Sequence, residues 1–271
     1  MLAREGDPPR PGSARQDLPP LVAVAHGSRD PRAAATIEEL LDLARARAAR
    51  HGLAGLPLST AYLGHAPPSP GQVLGALPGG PVVVLPLLLT GAYHSKTDIP
   101  AVLRAAACGR SGRSLEIRYG DPLGPHPLLV TALERRLAEA GARAGDPGTS
   151  VVLAAAGSSD PQARAAIARL AARWRRRRGW RDVLPAYASA AAPSPAGAVS
   201  ELLAGGARRV VVASYLLAPG RFAGQVRDEA LAAGAAAVSA PLGAAPELAD
   251  IVLIRYAAAC PGPATAVTRI A

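Results

Sequence analysis

The chain contains few residues of several kinds, and each shortage excludes a class of protein. The two cysteines, Cys108 and Cys260, are too few for a disulfide framework and form no CxxC pair for a structural zinc ion. Aromatic residues make up 3% of the chain and are not interleaved with basic residues, as a platform for single-stranded nucleic acid requires. No apolar run reaches the roughly 18 residues of a membrane-spanning helix. We expect neither nucleic acid nor a membrane as partner.

Lysine is also scarce. Lys96 is the sole lysine among 30 basic residues, so arginine carries nearly all the positive charge behind the formal net charge of +10. Such a charge is compatible with nucleic acid, an anionic membrane surface or an acidic small molecule. The densest basic run, residues 174–178 (WRRRR), falls at a predicted helix end, where the helix dipole favours cations. We interpret it as a solvated helix end.

Three segments of the chain occur twice, in the same order. Each pair begins in an apolar run and continues into a turn rich in glycine, serine or proline. The pairs are residues 21–31 (LVAVAHGSRDP) with 151–161 (VVLAAAGSSDP), 61–70 (AYLGHAPPSP) with 186–195 (AYASAAAPSP), and 82–94 (VVVLPLLLTGAYH) with 210–222 (VVVASYLLAPGRF). The sequence therefore predicts a duplicated domain.

The repeats preserve the scaffold but not the histidines. The first copy contains His26, His65 and His94, and the aligned residues of the second copy are Ala156, Ala190 and Phe222. A histidine that only supports the fold has no reason to disappear from one copy. The pattern is typical of imidazoles that act chemically at a single site.

Short apolar runs alternate with helical segments in both copies, as in a parallel sheet covered by helices on both faces. We expect an α/β protein with two tandem doubly wound parallel-sheet domains and an active-site cleft between them. The expected parts are a disordered leader at 1–18, an N-terminal domain at 19–141, a C-terminal domain at 149–259 and a tail at 260–271. Within the first domain, a loop carrying His94 leads to a predicted helix at about 98–107.

Each of the three histidines follows a predicted strand of the first copy. Ligands of open parallel sheets bind outside the carboxyl ends of the strands, so His26, His65 and His94 are expected at one edge. Imidazole binds divalent metals and accepts protons near neutral pH. A closed structural zinc site needs four ligands, so at most three histidines favour a site with open positions. The alternative is that His26 is satisfied by backbone and that His94 caps a helix.

Two further histidines are assigned structural positions. His126 has the counterpart Ala245 in the echoed segments 122–127 (PLGPHP) and 241–246 (PLGAAP), and it precedes Pro127, as a helix cap would. His51, next to Gly52 at a predicted helix end, is expected to be a surface residue.

The segments 26–31 (HGSRDP) and 86–100 (PLLLTGAYHSKTDIP) resemble the class II sirohydrochlorin chelatases, and the likeness covers about 20–258. Long forms of that family consist of two tandem chelatase domains. With so few cysteines, the cytoplasm is the expected compartment. The resemblance implies an enzyme, expected to be monomeric, that inserts Fe²⁺ into sirohydrochlorin, a polycarboxylated tetrapyrrole, for siroheme synthesis. Cobalt insertion for cobalamin, and a non-catalytic metal or tetrapyrrole carrier, are the alternatives.

The resemblance also assigns residues. His26 and His94 are the expected catalytic residues and metal ligands, and His65 is a further expected ligand. Many relatives have a glutamate in this part of the second block, whereas this chain has Gly64 followed by His65. The metal is a substrate, so no permanent cofactor is implied. Cleft residues expected to meet the acidic substrate are Arg29, Lys96 and Arg221.

Overall fold

The computed structural model describes residues 18–91, 99, 103 and 114–260. These residues form two four-stranded sheets in which all neighbouring strands are parallel. The first sheet has the order β2-β1-β3-β4 and the second the order β6-β5-β7-β8. The strands are β1 (Leu21–Ala25), β2 (Leu58–Tyr62), β3 (Gly80–Pro86), β4 (Leu115–Tyr119), β5 (Thr149–Ala155), β6 (Asp182–Tyr187), β7 (Arg209–Tyr215) and β8 (Ala237–Val238).

Helices connect and follow these strands. A single 3₁₀ turn, Ala48–His51, extends the first helix. Most of the helices have proline at the first position, where the missing N–H costs no hydrogen bond. Within the described residues the helices are α1 (Pro31–Arg47), α2 (Pro70–Ala76), α3 (Pro127–Glu139), α4 (Pro161–Arg178), α5 (Pro195–Ala204), α6 (Arg221–Ala232) and α7 (Pro246–Ala259).

The two copies begin their first helix in the same way. The Asp30 carboxylate accepts from the Arg32 backbone N–H at 3.0 Å, and Asp160 accepts from the Gln162 N–H at 2.8 Å. The backbone N–H of each aspartate donates in turn to a serine Oγ two residues earlier, at 3.1 Å in both copies. An aspartate before a proline supplies an N-cap, so this start was predictable from sequence.

The apolar core has three parts. The outer face of each sheet has a core of its own, one built around Val22, Val84 and Leu74 and the other around Val152, Val212 and Val226. The inner faces of both sheets share one continuous core, in which α1, α3, α4 and α7 take part. The two copies therefore pack on each other through buried apolar side chains.

Polar contacts also join the copies. The Arg47 guanidinium donates to both carboxylate oxygens of Asp250 on α7, at 2.8 and 2.6 Å. The Trp174 indole N–H of α4 donates to the Glu134 carboxylate of α3 at 2.9 Å. Within the described ranges, no helix is long and apolar enough to cross a membrane.

The predicted fold class is confirmed: both copies are α/β with doubly wound parallel sheets. Strands and helices alternate in both copies, as the pattern of short apolar runs predicts. The leader at 1–18 and the tail at 260–271 fall almost entirely outside the described residues. The predicted helix at 98–107 is described only at Ile99 and Leu103, which are helical and buried.

Candidate active site

A cavity of about 1130 Å³ lies at the carboxyl ends of both sheets. Its wall includes the last residues of β1, β2, β5, β6 and β7, so both copies contribute. This volume lies slightly above the usual range for small-molecule sites, roughly 300 to 1000 Å³. The charged and ring-bearing residues of the described lining, prolines apart, are His26, Arg29, Asp30, Tyr62, His65, Arg164, Tyr187, Tyr215, Arg221 and Phe222.

Two of the three predicted histidines line this cavity. His26 directly follows β1, and His65 lies in the turn after β2; both are exposed to solvent. Because β1 and β2 are hydrogen-bonded neighbours, their ends deliver both residues to the same edge. The structure therefore brings His26 and His65 to one cavity, as the strand pattern predicts.

Gly27 allows the loop that carries His26 to contact the loop that carries His65. It has a φ of +88°, and a Cβ there would lie 1.8 Å from the carbonyl oxygen of Gly64, the residue before His65. The loops are therefore in direct backbone contact, which only glycine permits. His65 itself has a φ of +65°, in the left-handed region that few side chains adopt.

The second copy has the same backbone at the equivalent positions. Gly157 has a φ of +96°, and a Cβ there would lie 1.9 Å from the carbonyl oxygen of Ser189. Ala190, the counterpart of His65, has a φ of +58°. The duplicated loops thus differ in side chains rather than in backbone shape.

The third predicted histidine, His94, lies outside the described residues, as does Lys96. Its counterpart in the second copy, Phe222, is described and lines the cavity, where 37% of its surface is exposed. Among the described residues, no group of three or more His, Cys, Asp and Glu side chains is close enough to hold a metal ion. The ligand set predicted from sequence includes His94, which that search does not cover.

The charged residues of the lining are mostly cationic. Arg29, Arg164 and Arg221 line the cavity, whereas Asp30 is the acidic residue among the described lining residues. Asp30 already pairs with Arg32 at 2.6 Å, and this hydrogen bond holds the pKa of the Asp30 carboxyl below its usual value. The cavity wall therefore suits an anionic ligand.

Tyrosines anchor the wall from both copies. The buried Tyr215 hydroxyl donates to the Leu89 carbonyl of the first copy at 2.8 Å, and burial raises the Tyr215 pKa, keeping it neutral. Tyr62 Oη donates to Glu38 at 3.3 Å, and Tyr187 Oη donates to the Arg164 carbonyl at 3.2 Å. Burial also raises the pKa of Tyr62 and Tyr187. These hydroxyls fix the wall and are neutral at physiological pH.

Outside the cavity, one histidine prediction is correct and one is wrong. His126 is the N-cap of α3, since its Nδ1 accepts from the Leu128 N–H at 3.2 Å. His51 is not a simple surface residue: its Nε2 lies 3.0 Å from Asp250 Oδ1, and its side chain is only 25% exposed. Asp250 is 199 residues away in sequence, so no local pattern signals this contact.

Sequence reasoning missed Arg164 in the cavity wall. The loss of histidines is visible in the repeated segments themselves, whereas Arg164 lies on the helix that follows the first of them. Comparison of the same helical positions shows what the second copy gained, because the residue aligned with Arg164 is Ala34.

Sequence comparison decides the family. A sequence model of the CbiX family matches residues 20–140 and, separately, residues 150–259. The chain belongs to the CbiX family. The two matches correspond to the two sheets, so this member carries the CbiX unit twice.

Curated relatives of this CbiX-family chain are named as chelatases. It is 29% identical over 206 residues to the sirohydrochlorin cobaltochelatase of Priestia megaterium, covering 74% of this chain and 64% of the relative. It is 30% identical over 149 residues to the sirohydrochlorin ferrochelatase of Bacillus subtilis, covering 55% of each. The chain thus aligns with less than two thirds of the length of either relative.

A solved structure has the same fold. The structure described as SirB from Bacillus subtilis with Fe³⁺ matches with a TM-score of 0.74 and 23% identity, covering 88% of this chain and 94% of that chain. At this identity the likeness concerns the fold, and it extends over both copies of the CbiX unit.

Proposed function

We propose that this CbiX-family protein is a sirohydrochlorin chelatase, a lyase that inserts a divalent metal into sirohydrochlorin. One observation carries the proposal: His26 and His65, imidazoles present only in the first copy, line a large cavity whose other charged groups are mainly guanidinium ions. Metal ligands and carboxylate-binding groups thus share one space. The names of the curated relatives support the same reaction.

We propose His26 and His94 as catalytic residues and metal ligands, with His65 as a further ligand. Insertion requires that the ion lose water, that two pyrrole protons leave the ring and that the ion pass to the ring nitrogens. A neutral imidazole can bind the ion transiently and can accept a proton. His26 and His65 are solvent-exposed, which lets an ion reach them and leave them. The metal is a substrate, and no permanent cofactor is needed.

The cavity wall is suited to the rest of the substrate. Apolar residues after β3 and β7, Leu87, Leu88, Leu216 and Leu217, offer a surface for the macrocycle. Arg29 and Arg221 at the wall, and Lys96 by its sequence position, are proposed to bind peripheral carboxylates.

We propose Fe²⁺ as the metal, for siroheme synthesis, with Co²⁺ as the alternative because the curated relatives include both activities. Imidazole binds either ion, so the residues of the site do not discriminate between them. A monomer in the cytoplasm is the proposed state, and a cavity that both copies of one chain line supports the monomer. The proposed domains are 19–141 and 149–259, supported by the two sheets and the two family matches.

The test is insertion under multiple turnover. Purified protein is mixed with excess sirohydrochlorin and with Fe²⁺ and Co²⁺, singly and in competition, while the absorbance of the tetrapyrrole is followed. We expect many product molecules per protein molecule, and the proposed role in siroheme synthesis requires this turnover with Fe²⁺. Product that stops at one equivalent would contradict an enzyme and would identify a carrier. A preference for Co²⁺ would assign the cobalt reaction.

A further inference from the structure

The two copies contribute different groups to the cavity. Among the described lining residues, the imidazoles His26 and His65 belong to the first copy, whereas the second copy contributes the guanidinium groups of Arg164 and Arg221. Arg164 is the fourth residue of α4, and the fourth residue of α1 is Ala34, which also lines the cavity. The second copy therefore lacks the histidines but has a cation where the first copy has a methyl group.

Hydrogen bonds hold one end of the Arg164 guanidinium in place. Its Nη1 donates to the carbonyl oxygens of Ser158 and Ser159, both at 2.9 Å. These carbonyls belong to the loop after β5, which is the counterpart of the His26 loop. The Arg164 carbonyl also accepts from the Tyr187 hydroxyl at 3.2 Å. The side chain is thus ordered before any ligand arrives, which lowers the entropy cost of binding.

The other edge of this guanidinium remains available. With Nη1 engaged on two carbonyls, Nε and Nη2 present two parallel N–H groups, and neither has an acceptor among the residues that the structure describes. That edge matches the two oxygens of a carboxylate. Arg47 uses the same Nε and Nη2 edge on Asp250, at 2.8 and 2.6 Å.

Charge points to the same ligand. In the described part of the cavity wall the second copy contributes no acidic side chain, and Asp30 of the first copy is already paired with Arg32. Arg164 therefore has no carboxylate of the protein as its partner there. A guanidinium that is partly buried in a cationic wall favours an anion supplied by the ligand.

We infer that Arg164 binds a peripheral carboxylate of the tetrapyrrole through its Nε and Nη2 edge and thereby orients the macrocycle toward the histidines of the first copy. This inference rests on the proposed function. It leaves metal handling to the first copy and adds a second-copy residue to the groups proposed to bind the acidic substituents, beside Arg221 of the same copy and Arg29 of the first. Arg164 is thus a substrate-binding residue contributed by the copy that has lost the histidines.

The test compares Arg164→Gln with Arg169→Gln in the full chain. Arg169 is an exposed arginine of the same helix outside the cavity wall, so both variants lose one charge from α4. Metal-free uroporphyrin is titrated into each protein and its fluorescence is followed. We expect Arg164→Gln to weaken uroporphyrin binding about tenfold or more, because a charge-assisted bidentate pair is lost. Arg169→Gln should bind uroporphyrin with the affinity of the unchanged protein. In the insertion assay, KM for sirohydrochlorin should rise while KM for the metal stays constant.

Two further measurements separate the possible failures. Arg164→Lys keeps the charge but loses the pair of parallel N–H groups, so its affinity for uroporphyrin should lie between those of the unchanged protein and Arg164→Gln. The melting midpoints of Arg164→Lys and Arg164→Gln show whether both variants fold. Coproporphyrin, with fewer carboxylates, should lose less affinity than uroporphyrin on Arg164→Gln. If the unchanged protein turns over but Arg164→Gln and Arg169→Gln bind uroporphyrin with equal affinity, this inference alone is overturned. An unchanged protein that neither binds porphyrin nor inserts metal would overturn the proposed function too.

Discussion

Gly27 shows how a single residue can set the geometry of the site. An added Cβ would lie 1.8 Å from the Gly64 carbonyl oxygen, so the loops carrying His26 and His65 would have to separate. We expect Gly27→Ala to reduce the insertion rate about a hundredfold, because displacements near 1 Å have effects of that size. Steady-state insertion rates measure the effect.

Gly55→Ala is the matched control for this prediction. Gly55 also has a positive φ, +80°, but an added Cβ would meet no heavy atom within 4 Å. Both variants carry the backbone penalty of alanine in the left-handed region, and only Gly27→Ala carries the clash. If both lose the same fraction of activity, the contact between the loops does not hold the site together.

His126 gives a residue-scale prediction about pH. Its Nδ1 accepts the α3 capping hydrogen bond, which requires neutral imidazole, and burial and then Arg255 lower its pKa. The cap therefore contributes fully above the ordinary His pKa of about 6.5 and is lost as the pH falls through the lower value of the folded state. His126→Asn keeps an N-cap that does not titrate.

The measurement is the free energy of unfolding of both proteins from pH 7.5 to pH 5. We expect the unchanged protein to lose stability relative to His126→Asn as the pH falls. His126→Ala removes the cap at every pH and should cost about 1 kcal/mol at pH 7.5. Parallel pH profiles of the unchanged protein and His126→Asn would contradict a titrating cap.

Among the elements, α1 and α7 show what the sequence does and does not encode locally. The Asp-Pro start of α1 is readable from its own residues, because Asp30 supplies the cap and Pro31 needs no donor. The pairing of Arg47 and His51 with Asp250 joins residues about 200 positions apart and has no local signal. Strands, caps and the position of His26 and His65 at the carboxyl ends of the strands were therefore predictable, whereas the contacts between the copies were not.

Asp250 offers an element-scale prediction. The hydrogen bonds from Arg47 and then His51 hold the pKa of the Asp250 carboxyl below its usual value. We expect Asp250→Asn to lower the free energy of unfolding at pH 7 by about 1 to 2 kcal/mol, the size of a hydrogen-bonded charged pair. The melting midpoint should fall by several degrees.

The pH dependence identifies the cause. A carboxyl with a depressed pKa contributes stability above its unfolded pKa of about 3.9 and loses it as the pH falls through the lower folded value. The difference between Asp250→Asn and the unchanged protein should therefore shrink in acid. Asp42→Asn, which breaks an exposed pair with Arg45 on α1, is the control and should change stability by less than about 0.5 kcal/mol. If Asp250→Asn and Asp42→Asn lose the same free energy of unfolding, the pairing of α1 with α7 stabilises the protein no more than an exposed ion pair does.

At the scale of the whole molecule, the shared inner core predicts that the two copies unfold together. Trp174 of the second copy is 1% exposed, and its indole N–H donates to Glu134 of the first. We expect a single calorimetric transition, and we expect Trp174→Ala to cost about 3 to 5 kcal/mol. Hydrogen exchange should show lost protection in β1 and β3 as well as in β5 and β7. Two separate transitions, with only the second copy affected, would contradict a shared core.

The placement of the lining histidines in one copy and of Arg164 in the other is also a property of the whole molecule. The loss of histidines from the second copy predicts one chemical site per chain, and the structure places His26 and His65 at a cavity that both copies line. The second copy's gain of Arg164 needed the structure, because a lone arginine on a predicted helix does not reveal which surface it reaches. Comparison of the repeated segments thus reveals the lost histidines, but it does not reveal that Arg164 lines the cavity.

The insertion rate of the histidine variants tests the central claim most directly. His26→Ala and His94→Ala are each expected to lose most of the sirohydrochlorin insertion activity, His65→Ala is expected to lose part of it, and all three should keep the fold by circular dichroism. His126→Asn, which removes an imidazole outside the cavity, should insert metal at the unchanged rate. Unchanged rates in both His26→Ala and His94→Ala would contradict the claim that imidazoles of the first copy pass the metal to the tetrapyrrole.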